Sequence, residues 1–211
     1  MDTLDYKELI TKIYFVRHGQ TKANKLQLLF GQLDWDLNKE GIRQAKKVTV
    51  KLSTISKKEK IHFLLSSPSK RAKHTAKIIA NKLKIKKIIF DKHLIEKSEG
   101  IWEGKSFWDA RKKDSKSYYE WLKNPFKNKP PKGESVLDLN KRVKRFYKTV
   151  LKKYLGKNII VVAHSGPIRL FILNILKANI DKFWYLKIEC GSITEIHVSK
   201  KHSMVWAMNR V

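Results

Sequence analysis

The chain has 211 residues, with 47 lysines and arginines against 19 aspartates and glutamates, and its formal net charge is +28. This length fits one α/β domain over residues 1–211 with a sizeable core. No apolar run is long enough to span a membrane, and residues 1–8 lack the basic and apolar regions of a signal peptide. The single cysteine excludes an internal disulfide, so we expect a cytoplasmic protein.

The high positive charge raises the question of nucleic acid as a partner. However, 39 of the 47 cations are lysines, and they are spread along the whole chain without a nucleic-acid-binding motif. We interpret most of the charge as compositional, with some attraction for anionic small molecules. Nucleic acid is therefore not the expected partner, although a basic nucleic-acid-associated protein of the same fold stays open as an alternative.

Predicted strands and helices alternate along the chain. Short apolar runs predict strands at 13–17, 61–65, 86–90 and 158–163. Apolar residues at helical spacing predict helices after Asn38, from Ser67 as N-cap and Pro68 as first residue to 83, over 136–154, and after Pro167. This alternation predicts an α/β fold, a three-layer sandwich with a mainly parallel sheet and helices on both faces.

The remaining segments complete this picture. Two further strand-like stretches, 192–198 and 203–208, end a predicted core of residues 13–208. Residues 100–133 are rich in tryptophan, tyrosine and proline, and fit no strand. We expect them to form a helical excursion over one end of the sheet.

Two predicted strands end in a histidine: His18 follows the first strand, and His164 follows strand 158–163. Because ligands of open α/β sheets bind at the carboxyl ends of the strands, both imidazoles are expected in one crevice. Arg17 lies beside His18, and Arg71 lies in the first turns of the helix after strand 61–65. We expect Gly19 to let the backbone approach a ligand closely.

Two arginines and two histidines around a crevice favour a phosphate group, because guanidinium pairs bidentately with phosphate oxygens. An unprotonated imidazole there can attack phosphorus. The leaving alcohol then needs a proton, and on chemistry alone Glu96, Glu99 and Glu103 all qualify. No H-x-x-x-H or H-x-H pair occurs, so neither a metal site nor another cofactor is expected.

Six blocks, in order, resemble the signatures of the histidine phosphatase superfamily, whose fold is phosphoglycerate mutase-like. Residues 17–24 (RHGQTKAN) resemble R-H-G-[EQ]-T-x-x-N, and the other blocks lie at 31–37, 65–76, 94–104, 133–135 and 162–169. The resemblance covers about residues 13–208. The chain departs from the pattern at Phe30, where relatives often carry a polar residue, and at Ser165, where relatives often carry glycine.

The resemblance implies a role for each matching residue. His18 is the nucleophile that forms phosphohistidine, and Arg17, Arg71 and His164 bind the phosphoryl oxygens. Glu96 is the proton donor, since it lies four residues before Gly100.

Three further positions belong to the same blocks. Asn24 and Ser165 help to line the pocket, and Glu103 is interpreted as structural.

The expected function is a metal-independent phosphomonoesterase that acts on a small phosphorylated metabolite. A cofactor-dependent phosphoglycerate mutase is the first alternative, but such mutases usually carry a longer insertion after the glutamate block. A regulatory module that has lost activity is a second alternative, against which the intact His18, Arg71, Glu96 and His164 argue. The sequence leaves open which ester is cleaved and whether the chain forms a homodimer.

Overall fold

The computed structural model describes residues 9–211, and the segment 1–8, for which no signal peptide is expected, lies outside the described residues. In the described part, the strands are β1 (Thr11–Arg17), β2 (Phe63–Ser66), β3 (Ile88–Phe90), β4 (Ile159–Ala163), β5 (Ile193–Val198) and β6 (Ser203–Arg210). The α-helices are α1 (Lys22–Lys25), α2 (Lys39–Lys58), α3 (Lys70–Leu83), α4 (Phe107–Lys113), α5 (Ser115–Lys123), α6 (Val136–Lys153) and α7 (Ser165–Ile175). Short 3₁₀ helices cover Lys92–Leu94, Gly100–Trp102 and Ile180–Tyr185.

One sheet contains all of these strands, in the order β3-β2-β4-β1-β5-β6. The first four strands of the chain run parallel, whereas β5 pairs with β1 and β6 pairs with β5 in antiparallel fashion. The predicted α/β fold with a mainly parallel sheet is confirmed.

Helices cover both faces of the sheet, because the side chains of its central strands alternate between two apolar clusters. Ile13 and Phe15 of β1 pack in one cluster with α6 and α7. Tyr14 and Val16 pack in the other cluster with α2 and α3. Each central strand is therefore buried on both sides, as its continuous apolar sequence predicts.

The start of α3 differs from the prediction. The helix begins at Lys70 with Ser69 as its N-cap residue, not at Pro68 with Ser67 as N-cap. The Ser67 hydroxyl instead lies 2.9 Å from Nε2 of His164. The backbone N–H of Lys70 donates to the Asp34 carboxylate at 2.8 Å, so a side chain distant in sequence caps this helix.

Residues 100–133 contain a 3₁₀ turn followed by α4 and α5. Trp102 and Ala110 of this segment pack with Leu29 in a small apolar cluster, against which Tyr118 and Trp121 also pack. Within residues 9–211, no helix combines the length and hydropathy that a membrane crossing requires.

Candidate active site

The carboxyl ends of β1 and β4 place the two strand-end histidines side by side. Arg17 of β1 is in register with Ala163 of β4, and the backbone N–H of His18 donates to the Ala163 carbonyl at 3.1 Å. The ring centroids of His18 and His164 are 5.0 Å apart. Two residues separated by most of the chain thus meet in one place because their strands are parallel neighbours.

The surroundings of His18 define its tautomer. Its Nδ1 lies 2.8 Å from the Gly19 carbonyl oxygen, which can only accept, so the proton is on Nδ1. The lone pair of Nε2 then faces Arg71, whose Nε donates to it at 3.3 Å. Burial lowers the pKa of His18 well below its usual value, and the positive charges of Arg71 and Arg17 act in the same direction. His18 is therefore a neutral imidazole whose Nε2 lone pair accepts a hydrogen bond from a guanidinium.

His164 is fully buried, and its pKa also lies well below the usual value, first because of burial and then because of Arg71, His18 and Arg17. Its Nε2 contacts the Ser67 hydroxyl, while its Nδ1 is buried without a hydrogen-bond partner. The Nε of Arg17 is likewise buried without a partner. Unpartnered buried polar atoms are rare, and these two belong to residues whose sequence pattern predicts an anion site.

Arg71 is held by the loop that precedes α2. Its Nη2 donates to the Gly31 carbonyl at 2.5 Å and its Nη1 to the Leu33 carbonyl at 3.2 Å. The side chain is 0% exposed, and Asp34 lies 3.8 Å from Nη1. Burial lowers the pKa of this guanidinium from its usual value. The position of Arg71 is thus determined by backbone carbonyls of a segment remote in sequence.

Three carboxylates were open candidates for the proton donor, and the structure gives each a different environment. Glu96 accepts hydrogen bonds through Oε2 from the Gly166 N–H at 3.0 Å and from the Ser165 hydroxyl at 3.2 Å. Glu99 forms an ion pair of 2.7 Å with Lys97. Glu96 is therefore the carboxylate that bonds to the residues directly after His164.

Glu103 binds backbone atoms instead. Its carboxylate accepts from the N–H groups of Gln32 and Leu33, and from the N–H of Glu99 at 3.1 Å. These contacts tie two loops together, in line with its interpretation as a structural residue.

Asn24 lies near Arg17, in the helix that follows the first strand-end histidine. Its Oδ1 accepts from both the N–H and the hydroxyl of Thr21, which caps α1. Asn24, Arg17 and Cys190 all line the same cavity. The structure therefore places Asn24 near Arg17 but not in contact with Glu96 or Ser165.

The structure gives a packing reason for Gly19, and the expected close approach of its backbone to a ligand stays a prediction. A Cβ atom at this position would lie 2.2 Å from the Gly41 carbonyl oxygen of α2, so the space beside Gly19 is filled by protein backbone. Gly166 is the glycine that touches a functional group, because a Cβ there would lie 2.1 Å from Oε1 of Glu96.

The sequence analysis missed Arg142, which supports the segment that carries Glu96. Its guanidinium pairs with the Glu134 carboxylate at 2.7 Å and donates to the carbonyls of Ile95 at 2.9 Å and Glu96 at 3.3 Å. Glu134 lies in the recognised block 133–135, and Arg142 lies two helical turns further on in α6. Among residues 9–211 there is no group of three or more His, Cys, Asp or Glu placed to hold a metal ion.

Comparisons with known proteins give matches over nearly the whole chain. The family model of the histidine phosphatase superfamily (branch 1) matches residues 13–210. Phosphoserine phosphatase 1 of Hydrogenobacter thermophilus is 30% identical over 200 residues, which are 95% of this chain and 92% of that protein. Adenosylcobalamin/alpha-ribazole phosphatase of Escherichia coli is 26% identical over 198 residues, 94% of this chain and 95% of that protein. The crystal structure of the alpha-ribazole phosphatase from Shigella flexneri matches with a TM-score of 0.86 and 26% identity, covering 94% of this chain and 96% of that chain.

Proposed function

The chain belongs to the histidine phosphatase superfamily and is a phosphatase of small phosphate esters, and we propose that it works through a phosphohistidine formed on His18. The observation that carries this proposal is the pair His18 and Arg71. The unprotonated Nε2 lies 3.3 Å from Nε of Arg71, so a phosphoryl group that takes over this guanidinium's hydrogen bond is brought to the nucleophile.

In the first step, Nε2 of His18 attacks phosphorus and the bond between phosphorus and the ester oxygen breaks. Arg17, Arg71 and His164 hold the phosphoryl oxygens as charge shifts among them. Glu96 in its acid form gives its proton to the departing alkoxide. The products of this step are the free alcohol, the Glu96 carboxylate and a phosphoryl group on His18.

In the second step, the Glu96 carboxylate takes a proton from a water molecule whose oxygen attacks phosphorus. The bond between phosphorus and Nε2 breaks, which releases inorganic phosphate and returns His18 to its neutral form. The hydrogen bonds from Gly166 and Ser165 support this double role, because they hold the carboxylate next to His164.

The proposed mechanism requires no metal ion, because Arg17 and Arg71 supply the positive charge that a metal ion would otherwise provide at the phosphoryl group. Asn24 and Ser165 border the site without taking part in bond formation. A cytoplasmic location also stays a proposal that rests on the sequence.

The test is to trap the intermediate. Enzyme quenched during turnover of a ³²P-labelled ester should carry label that is lost in acid and kept in base, and His18→Ala should abolish both label and turnover. His202→Asn is a matched control, since its exposed side chain lies in the hairpin between β5 and β6. Acid-stable label on a serine, or turnover by His18→Ala near the normal rate, would overturn the mechanism.

A further inference from the structure

A cavity of about 170 Å³ is lined by Glu96, the proposed proton donor to the leaving alcohol. Five segments form its wall: the loop 28–30, residues 96–99, the excursion 100–133, the first turns of α7, and the 3₁₀ helix Ile180–Tyr185. Its aromatic lining consists of Phe30, Trp102, Phe107, Trp121, Phe183 and Trp184. Trp102 lies in the family block 94–104, but the other five rings lie outside the family blocks, and the phosphoryl chemistry does not account for them.

The aromatic side chains hold one another in place. Trp102 is 1% exposed, and its Nε1 donates to the Asp114 carboxylate at 3.0 Å. The ring of Trp121 packs edge-on against Trp102 at 5.8 Å, and Trp184 packs edge-on against Phe183 at 5.1 Å. Edge-to-face contacts of this kind stabilise a fixed arrangement of rings, so the wall is already formed before a ligand enters.

The charged groups in the wall already have partners. Lys97 pairs with Glu99 at 2.7 Å. Arg169 donates from Nε to the Leu186 carbonyl at 2.6 Å, and its guanidinium lies 5.3 Å from the centre of the Phe183 ring.

When the ester binds, Glu96 is in its acid form, so the charged groups of the cavity are the Glu99 carboxylate, the Lys97 ammonium and the Arg169 guanidinium. Both cations have partners, and the formal charge of the cavity is small in a protein whose net charge is +28. A carboxylate on the leaving alcohol would meet Glu99 here, and it would have to compete with the partners of Lys97 and Arg169.

Phe30 connects this cavity to the phosphoryl site. Its ring lines the cavity and lies 5.0 Å from Cζ of Arg71. A single ester can therefore place its phosphate at Arg71 and its ring against Phe30.

We propose that this cavity selects phosphate esters whose alcohol carries a neutral aromatic ring, in preference to esters of hydroxy acids or amino acids. The inference rests on the proposed phosphatase function and adds the class of the leaving group. An apolar cavity of about 150 Å³ accommodates benzene, so the volume here fits one ring with a short linker.

The first experiment compares 2-phenylethyl phosphate with ethyl phosphate and with O-phosphoserine. The two simple alcohols are similar leaving groups, so a difference in kcat/KM reports how well the ring is bound. Burial of a phenyl ring favours the aromatic ester by about 30-fold or more. Binding of the same esters to His18→Ala, measured by calorimetry, should show the same order of affinity without any turnover.

Variants then locate the effect. Trp184 is 46% exposed at the rim, so Trp184→Ala should not disturb the core. It should lower kcat/KM for 2-phenylethyl phosphate about 10-fold more than for ethyl phosphate, and Trp184→Phe should recover most of that loss. Trp206→Ala is the matched control, because this exposed tryptophan stacks on His197 at the far edge of the sheet.

The outcomes separate the two proposals. Turnover of ethyl phosphate or O-phosphoserine at least equal to that of 2-phenylethyl phosphate would overturn the ring preference and leave the phosphatase intact. An equal loss in Trp184→Ala and Trp206→Ala would also overturn it. If no ester were hydrolysed but His18→Ala still bound the aromatic ester most tightly, the mechanism would fail and the ligand class would stand.

Discussion

Glu103 and Arg71 hold the same short loop from its two sides. The Leu33 N–H donates to the Glu103 carboxylate, while the Leu33 carbonyl accepts from Nη1 of Arg71 at 3.2 Å. The neighbouring Gln32 N–H also donates to Glu103, at 2.9 Å. The loop thus holds the guanidinium of Arg71 in place, and the Glu103 carboxylate, distant in sequence, anchors the loop. Glu103 is therefore a positioning residue for the phosphoryl site.

Glu103→Gln should weaken the site without removing any group that touches the substrate. Two backbone N–H groups use different oxygens of Glu103, and an amide nitrogen cannot accept a hydrogen bond. We expect kcat/KM to fall between about 10- and 100-fold, and the inhibition constant of inorganic phosphate to rise in parallel. The pair Glu120–Lys123 on α5 gives a control, since Glu120→Gln alters only an exposed carboxylate. Unchanged phosphate inhibition in Glu103→Gln would show that the loop holds Arg71 without Glu103.

A second prediction concerns Gly166. An added methyl group would lie 2.1 Å from Oε1 of Glu96 and 2.9 Å from Cδ2 of the buried Leu139, so the ends of both side chains would have to move. Gly166→Ala should still fold, since alanine favours helices, but it should lose some stability and Glu96 should be displaced. We expect kcat/KM for alkyl esters to fall about 100-fold, and much less for activated aryl esters, whose leaving groups need no proton. Glu96→Gln should show the same dependence on leaving group; a uniform loss in Gly166→Ala would instead point to damage at His18 or Arg71.

The folded state should become less stable between pH 7.5 and 5.5. The pKa values of His18 and His164 lie well below 6.5 in the folded protein, so within this window the unfolded chain binds more protons. Relative to its value at pH 7.5, the free energy of unfolding at pH 5.5 should be lower by up to about 1.4 kcal/mol for each of the two histidines.

Urea unfolding at both pH values can measure this effect. His164→Gln should lose less stability on acidification than the unmodified protein, by about 1.4 kcal/mol. His202→Gln changes an exposed side chain and should lose as much as the unmodified protein. An equal loss in all three proteins would mean that His164 is protonated in the folded state.

Local sequence patterns predicted the strands and the two strand-end histidines, because buried parallel strands are continuous apolar runs. They did not predict which contacts fill the space around each residue. Ser67 was expected to cap α3 but contacts His164 instead, and the close packing of Gly19 on Gly41 was not predicted. Such contacts join segments far apart in sequence, so only the folded chain reveals them.

The three glutamates show the same limit. Their chemistry alone left Glu96, Glu99 and Glu103 equivalent, and the family resemblance was needed to prefer Glu96. The structure separates them by their partners: Gly166 for Glu96, Lys97 for Glu99, and the loop around Leu33 for Glu103. The role of Glu96 as proton donor stays a prediction for the leaving-group experiment to test.

Activity should survive a chelator. In the proposed mechanism Arg17 and Arg71 provide the positive charge at the phosphoryl group, so no metal ion has to stabilise it. Hydrolysis of an aryl phosphate in excess EDTA should keep at least about 80% of the untreated rate. His18 is neutral under mildly acidic conditions, so this should hold at pH 6 as well as at pH 7.5. Full loss of activity in EDTA that magnesium or zinc restores would contradict the mechanism.

The last prediction separates water from a second substrate as the phosphoryl acceptor. A mutase must keep phosphohistidine away from water until it passes the group back, which requires a closed site. The cavity beside Glu96 has an open rim instead, where Phe107 is 50% and Trp184 is 46% exposed. The two cations of its wall, Lys97 and Arg169, already have partners within the protein. With 3-phosphoglycerate we therefore expect slow release of phosphate and hardly any isomer.

The measurement follows 2-phosphoglycerate, 2,3-bisphosphoglycerate and free phosphate together, with ethyl phosphate as a reference for simple hydrolysis. Because both outcomes pass through the same phosphohistidine on His18, isomer formation much faster than phosphate release would make the chain a mutase and leave its fold and catalytic groups as described.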